Sequence, residues 1–113
     1  MNQKTKLLIE KFDIRSYLED RGINYRDRGK NISQGWIGLP CLWCDDGGNH
    51  LGVRLYDNHI SCWLCKVGGD VTKIIMQIEG CDWKQAVAII QNVLISEIQK
   101  SPLAAQVLQL SLH

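Results

Sequence analysis

Apolar residues in the first part of the chain recur at the spacing of short amphipathic helices. The stretch 7–12 predicts one helix, and the stretch 14–21 predicts a second with its apolar residues on one side. Asp13 is placed to cap the second helix, and Gly22 lies where a glycine commonly ends one. The polar residues at 24–35 then predict a loop.

Three shorter stretches in the middle of the chain predict strands. The segment 36–40 is mostly apolar, and the segments 49–56 and 58–62 are rich in residues that favour strands. A turn at residues 57 and 58 would join the last two segments into a hairpin. This part of the chain therefore predicts a small antiparallel sheet.

Helical spacing returns in the second half of the chain. Asp70 is placed to cap a helix over 71–79, and Gly80 is placed to end it. The residues from 82 to 85 form a capping-box pattern that opens a further helix reaching about residue 98. The order of elements predicts an α+β fold in which N-terminal and C-terminal helices pack around a small antiparallel sheet.

Composition and charge narrow the class of protein. The chain has 113 residues, 45% of them hydrophobic and 22% charged, and a formal net charge of +1. These values are typical of a soluble domain and give no overall basic field. No apolar run reaches the roughly 18 residues of a membrane span, and the N-terminus lacks the features of a signal peptide. We therefore expect a monomeric cytoplasmic protein, in a compartment that disfavours disulfides.

Four of the five cysteines form two pairs with the spacing of a zinc site. Cys41 and Cys44 form one Cys-x-x-Cys pair, and Cys62 and Cys65 form another after seventeen intervening residues. Zinc binds four thiolates at tetrahedral corners about 2.3 Å away, and this spacing is typical of such sites. We therefore predict one structural Zn²⁺ ion held by four cysteines in a zinc-ribbon sheet.

A redox dithiol is the alternative interpretation of a Cys-x-x-Cys pair. That motif normally opens a helix beside a parallel sheet, whereas both pairs here are followed by turn residues, at 45–48 and 66–69. Cys81 has no partner at ligand spacing, so we expect a free buried thiol there. Four protein ligands leave no open position on zinc, so we expect no catalytic residues and no enzyme activity of the chain by itself.

Motifs around the cysteines carry a family resemblance over residues 6–95. The predicted second helix reads DI…YL, a Gly-Leu pair precedes the first ligand, GGD follows the last ligand, and IIMQIEGCDWKQAV comes next. In this order, the motifs resemble the N-terminal zinc-binding domain of bacterial DnaG-type primases and of phage primases. The resemblance implies a module that contacts a single-stranded template and helps a polymerase to start a primer.

The chain departs from the bacterial family in two features. Its second ligand is Cys44, where bacterial members usually have His, and all-cysteine versions are known in phage primase–helicases. In those proteins, an Asp and a His before the third ligand are associated with reading the template, and they correspond to Asp57 and His59 here. The chain also ends without a polymerase domain. We therefore expect a module from a phage or mobile element, either free-standing or part of a longer primase.

The resemblance also suggests a domain organisation. We expect residues 1–100 to form the primase-like zinc-binding domain and residues 101–113 to form a C-terminal helical extension. The extension contains several leucines, which we expect to be buried against another apolar surface. It would either dock a partner or pack on its own domain.

The loop before the first cysteine pair contains the main candidates for contacts with phosphates. Residues 21–30 carry four Lys or Arg against one Asp. Proteins bind single strands with a cationic track for phosphates and aromatic surfaces for bases. A solvated charged loop is the alternative. The candidates are Arg26, Arg28 and Lys30, with Arg54 and Lys66 as helpers.

Tryptophans in the two cysteine pairs are candidates for contacts with bases. Trp43 and Trp63 could stack on bases, although shielding of the zinc sulfurs and filling of a small core is the preferred interpretation for both. We expect Trp36 and Trp83 in the core.

Two residues of the predicted hairpin each have two interpretations. His59 could read a base edge through its donor and acceptor nitrogens, or it could be an ordinary surface residue. Asp57 could accept a hydrogen bond from a cytosine amino group, or it could serve the turn.

Two functions remain open on the sequence. The first is a non-catalytic zinc module that binds single-stranded DNA template and assists primer initiation by a primase, polymerase or helicase acting in trans. The second is a zinc-ribbon interaction or regulatory module that does not bind DNA, which the near-neutral charge favours. The two differ in salt dependence, because contacts with phosphates make affinity fall steeply as salt rises.

Overall fold

Two helices precede the strands of a small sheet along the chain, and two helices follow them. A computed structural model describes residues 2–44 and 48–100. In this part of the chain, the elements are α1 Gln3–Lys11, α2 Ile14–Asp20, β1 Trp36–Leu39, β2 Leu51–Arg54, β3 His59–Cys62, β4 Gly68–Asp70, α3 Val71–Glu79 and α4 Trp83–Lys100. The four strands form one antiparallel sheet in the order β1-β2-β3-β4. The predicted α+β class is confirmed.

One face of the sheet is buried under the helices. The register aligns Ile37, Val53 and Ile60 in one row and Leu39, Leu51 and Cys62 in the next. All six side chains are buried, and they form one core with apolar residues from all four helices. Aligned residues of antiparallel strands point to the same face, so these two rows define the inner face.

The other face of the sheet is more exposed, and we name it the open face. One of its rows consists of Trp36, Arg54, His59 and Asp70, and the other consists of Gly38, Gly52, Ser61 and Gly68. Apart from Gly38, which Ile32 and Asn49 cover, these residues are half-buried. The second row carries no side chain larger than serine. The open face is therefore a shallow surface between larger side chains.

Helix α1 begins at Gln3, four residues before its predicted start, because Asn2 caps it. The boundaries of the other helices follow the predicted caps. The side chain of Asp13 accepts from the backbone N–H of Ser16, and that of Asp70 accepts from Thr72. Asp82 and Gln85 exchange two hydrogen bonds as a capping box. Gly22 and Gly80 follow α2 and α3 with φ of 71° and 64°, in the left-handed region that glycine adopts without strain.

The strands differ from the prediction in two respects. Strand β2 covers only Leu51–Arg54, and the turn takes residues 55–58, because Asn58 has φ of 60° and cannot begin a strand. The glycines at 68 and 69, predicted as a turn, belong to strand β4. That strand has no apolar alternation, so its pairing with β3 rests on backbone hydrogen bonds.

Two further expectations from the sequence are corrected. Arg26, predicted inside a loop, forms an isolated antiparallel bridge with Gly38, through two backbone hydrogen bonds of 2.8 Å. Trp83 is 38% exposed and does not belong to the core, because it lies in the first turn of α4 on the solvent side. Trp36 is half-buried on the open face rather than in the core.

The end of the chain was predicted to carry a helical extension. Helix α4 reaches Lys100, two residues beyond the predicted end. The predicted extension at 101–113 lies outside the described residues, and the proposed domain boundary stays a prediction. Among the described helices, none combines the length and apolar character needed to cross a membrane.

Candidate metal centre and the open sheet face

The sheet brings the two Cys-x-x-Cys pairs together. Cys41 and Cys44 follow the end of β1, and Cys62 is the last residue of β3 with Cys65 in the turn after it. The C-terminal ends of β1 and β3 lie at the same end of the sheet, because Leu51 of β2 aligns with Leu39 on one side and with Cys62 on the other. The strand register therefore positions all four thiols.

The four sulfur atoms have the geometry of a tetrahedral zinc site. The Sγ atoms of Cys41 and Cys65 lie 3.7 Å apart, and those of Cys44 and Cys62 also lie 3.7 Å apart. All four lie within 4.8 Å of one another. A zinc–sulfur distance of about 2.3 Å gives an edge of about 3.8 Å between ligands of a regular tetrahedron. The four cysteines therefore fit one Zn²⁺ ion.

Backbone amides support the first thiol of each pair in the same way. The sulfur of Cys41 accepts from the backbone N–H groups of Trp43 and Cys44, and the sulfur of Cys62 accepts from those of Leu64 and Cys65. Burial raises the pKa of the Cys62 thiol, but the amides together with the thiols of Cys65 and Cys41 lower that pKa to about 7, whereas burial leaves the pKa of the Cys41 thiol raised. The two turns are thus knuckles with the same backbone contacts to their first sulfur, and these contacts favour the thiolate form.

Zinc would have a structural role in this centre. Four cysteine ligands fill a tetrahedral coordination shell, so no position is left for a substrate or an activated water. Cys41 and Cys62 are buried in the core, so the ion would join the ends of two strands. Cys81 is outside the cluster, and its thiol is only partly buried against the core rather than fully buried as expected.

Both knuckle tryptophans are exposed, so they do not fill the core. Trp43 is 36% exposed and Trp63 is 58% exposed. The core is instead supplied by the inner face and the helices. The ring of Trp63 meets His50 edge to face, with 4.7 Å between ring centroids. Trp63 is therefore available to a ligand on the open face.

A groove of about 210 Å³ crosses the open face. The ring of Trp36 lies over Gly52, where an added Cβ would approach it to 3.1 Å. Trp63 and His50 line another part of the groove. Polar side chains at its rim and floor are Asn31, Ser33, Asn49 and Ser61. Aromatic walls with a few polar groups are typical of sites for flat ligands.

Two predicted contact residues are held together beside the groove. Arg54 donates from Nε to Oδ1 of Asp57 at 3.0 Å and from a terminal nitrogen to Oδ2 at 2.7 Å. Oδ1 also accepts from the backbone N–H of His59 at 3.2 Å. The Arg54 guanidinium therefore holds the pKa of Asp57 below its ordinary value. Asp57 clearly serves the turn.

The predicted base-contact residue His59 lies on the open face directly opposite Arg54. His59 does not line the groove itself; with Lys6, Asp57 and Asp70 it lines a second hollow, of about 350 Å³. The hollow lies between α1 and the ends of β3 and β4. His59 is thus half-buried at this second hollow rather than on a featureless surface.

The predicted phosphate contacts are distributed around the sheet. Arg26 aligns with Gly38, so its side chain leaves the backbone on the open-face side. Arg28 is 91% exposed and pairs with Asp27 at 3.4 Å. Lys30 is exposed in the same loop, and Lys66 is exposed in the second knuckle with φ of 66°.

Sequence reasoning missed several residues of the open face. Ser61 and Gly52 line the groove, and Tyr56 is 77% exposed beside Arg54. The alternation of residues along β2 and β3 was a signal for Gly52 and Ser61, because every second residue faces away from the core. Their alignment across strands needed the register.

The comparisons with known proteins give one family. The family model described as CHC2 zinc finger, of the DnaG zinc-ribbon type, matches residues 1–105. No significant match was found among curated proteins or among solved structures. The matched residues include both knuckles, the sheet and all four helices described above.

Proposed function

Because the chain belongs to the CHC2 zinc-finger family of DnaG-type primases, we propose that it binds single-stranded DNA template on the open face of its sheet. In this role, the chain assists primer initiation by a primase or polymerase that acts in trans. An initiating dinucleotide has few contacts of its own, so a module that holds the template raises the effective concentration of the reactants.

The groove across the open face is the observation that carries this proposal. Its walls include Trp36 and Trp63, and its lining includes the small side chain of Ser61, while Gly52 lies under the ring of Trp36. Unpaired bases stack on aromatic rings, and each stacked base contributes about 1–3 kcal/mol to binding. The small side chain of Ser61 leaves room for a base beside these rings.

Basic residues near the groove supply contacts for phosphates. Arg26 leaves the sheet edge on the open-face side, Arg28 and Lys30 are exposed in the same loop, and Lys66 lies in the knuckle of Trp63. These four cations would follow the backbone of a strand that crosses the sheet. The net charge of +1 matters less than this local arrangement.

His59 is the candidate for reading a base edge. It lies on the open face next to Ser61 in β3 and opposite Arg54. Its side chain has both a donor and an acceptor, so it can pair with different base edges. Asp57 is a weaker candidate for this role, since both of its oxygens accept from Arg54.

A binding titration tests the proposal directly. The zinc-loaded protein is titrated against a fluorescent single-stranded oligonucleotide at several salt concentrations. Single strands give a slope of about −0.7 per phosphate contact in log affinity against log salt, so four contacts predict a slope of about −3. The double variant Arg26→Gln, Arg28→Gln should reduce its magnitude by about 1.4.

A variant that fills the groove tests the location. Ser61 aligns with Gly52 on one side and Gly68 on the other, so Ser61→Leu has room and enters the groove without disturbing the inner face. It should weaken binding at least tenfold, with zinc content and melting unchanged. Gln77→Leu, on the exposed side of α3, is the matched control.

The same titration distinguishes the alternative function. If the zinc-loaded wild type does not bind oligonucleotides at low salt, template binding is wrong, and a module that contacts only proteins accounts better for the family membership. A primer-synthesis assay with a partner polymerase, with and without the chain, then tests action in trans.

A further inference from the structure

The Arg54 guanidinium lies between two aromatic rings. Its Cζ atom is 4.8 Å from the ring centroid of Tyr56 and 5.8 Å from that of Trp36. Both distances fall within the range of cation–π contacts. Tyr56, Arg54 and Trp36 therefore form a row of two cation–π contacts, which we name the stack, and this row leads from the β2–β3 turn to the groove.

Asp57 fixes the centre of this stack. Its carboxylate holds the guanidinium through two parallel hydrogen bonds, of 3.0 and 2.7 Å, in the geometry that best defines the plane of an arginine. The side chains of Arg54 and Asp57 are 34% and 24% exposed, so solvent reaches them only in part. Arg54 is thus oriented before any ligand arrives.

Tyr56 forms the outer end of the stack, and 77% of it is exposed. Such exposure excludes a role in the core. One face of its ring is directed at Arg54, which leaves the opposite face to the solvent. An aromatic ring held in place in this way loses little conformational entropy when a flat ligand stacks on it.

We propose that Tyr56, supported by Arg54, is a stacking subsite for one unpaired nucleobase, and that Asp57 is its positioning residue. This inference rests on the proposed function, because it extends the path of the strand from the groove to the β2–β3 turn. It also changes the predicted roles of two residues. Arg54 supports a ring instead of a phosphate, and Asp57 orients Arg54 instead of reading cytosine.

The charges of the subsite make its contribution distinctive. The carboxylate of Asp57 balances the charge of Arg54, so the subsite binds a base by stacking and releases no counterion. Its contribution to affinity should therefore be independent of salt, in contrast to that of Arg26 and Arg28.

The test compares Tyr56→Ala with Tyr56→Phe in the zinc-loaded full chain. Tyr56→Ala should weaken binding of an oligothymidylate on the order of tenfold at every salt concentration, with an unchanged salt slope. Tyr56→Phe keeps the ring and should recover the lost affinity. If Tyr56→Ala binds like the wild type, or if its loss disappears at high salt, the stacking subsite is wrong.

Asp57→Asn provides the second arm. It keeps an oxygen for the backbone N–H of His59 but releases the charge of Arg54. It should lower affinity at high salt, where the loosened stack matters most, and steepen the salt slope by about 0.7, because the freed guanidinium reaches a phosphate. An unchanged slope would contradict the positioning role. Absence of binding by the wild type would reject the proposed function as well, whereas the outcomes above reject this subsite alone.

Discussion

At the scale of single residues, Asn58 connects the turn between β2 and β3 to the helices. Its buried side chain donates from Nδ2 to the carbonyl oxygens of Ile9 and Phe12, at 2.7 Å each. The backbone carbonyl oxygen of Asn58 accepts a hydrogen bond from the backbone N–H of Val71. One residue therefore connects the turn with the α1–α2 junction and the start of α3. The sequence suggested only a turn here, since a partner 46 residues away leaves no local pattern.

Replacement of Asn58 by glycine separates its hydrogen bonds from its backbone conformation. Asn58→Gly keeps the φ of 60° without strain but removes two buried hydrogen bonds, and leaves the carbonyl oxygens of Ile9 and Phe12 with one backbone donor each. We expect a loss of about 2–3 kcal/mol in the free energy of unfolding. Asn58→Ala should lose about 1 kcal/mol more, because the left-handed conformation is unfavourable for alanine. Denaturant titration of the zinc-loaded proteins measures both values, and a glycine variant as stable as the wild type would contradict this role.

At the scale of elements, helices α2 and α3 are joined by a polar contact. The hydroxyl of Tyr17 donates to Oε2 of Glu79 at 2.8 Å, and Nε of Arg21 donates to the same oxygen at 2.7 Å. Both helices were predicted from their caps and apolar spacing, which are local signals. Neither this contact nor strand β4 was predicted. The contact depends on tertiary packing, and the strand depends on the backbone of Gly68 and Gly69.

The Tyr17–Glu79 contact should make stability depend on pH in the alkaline range. Burial and then the hydrogen bond to Glu79 raise the pKa of Tyr17 above its ordinary value of 10.0. The protonated hydroxyl of Tyr17 therefore contributes its full stabilisation of the fold below pH 10. This stabilisation is lost as the pH rises towards the pKa of Tyr17 in the folded state. Tyr17→Phe should be less stable by about 1–2 kcal/mol at pH 8.

Denaturant titrations between pH 8 and 11 check this expectation. The deficit of Tyr17→Phe relative to the wild type should shrink above pH 10. There, Tyr17 ionises in the unfolded wild type, which stabilises its unfolded state and lowers its free energy of unfolding, and the variant has no such group. Other titrating groups are common to both proteins and cancel in the difference. A deficit that is constant over this range would show that the hydroxyl is not coupled to Glu79.

At the scale of the whole molecule, zinc and the core together define the fold. The cysteine spacing alone predicted the four ligands, because a tetrahedral site imposes a strong local pattern on the sequence. The open face could not be predicted in the same way. Trp36, Arg54 and His59 are separate in sequence, and only the strand register aligns them. The exposure of Trp43 and Trp63 was also missed, since the core turned out to need neither.

Loss of one zinc ligand should therefore affect the whole sheet. Structural zinc sites contribute on the order of 10 kcal/mol to folding. Cys65→Ser should lose zinc and its cooperative thermal transition, and chelation of the wild type should give the same result. Cys81→Ser, outside the cluster, is the matched control and should keep one zinc ion per chain. A cooperative transition in zinc-free Cys65→Ser would mean that the helices and sheet fold without the metal.

Mapping of the bound strand by NMR tests the central claim most directly. The zinc-loaded, ¹⁵N-labelled protein is titrated with a single-stranded oligonucleotide, and the backbone and indole signals are followed. Our account predicts shifts at open-face residues, above all Arg54, Ser61 and the indoles of Trp36 and Trp63, while the exposed side of α3 stays unchanged. Shifts confined to the helices, or none under conditions that keep zinc bound, would contradict template binding on the sheet.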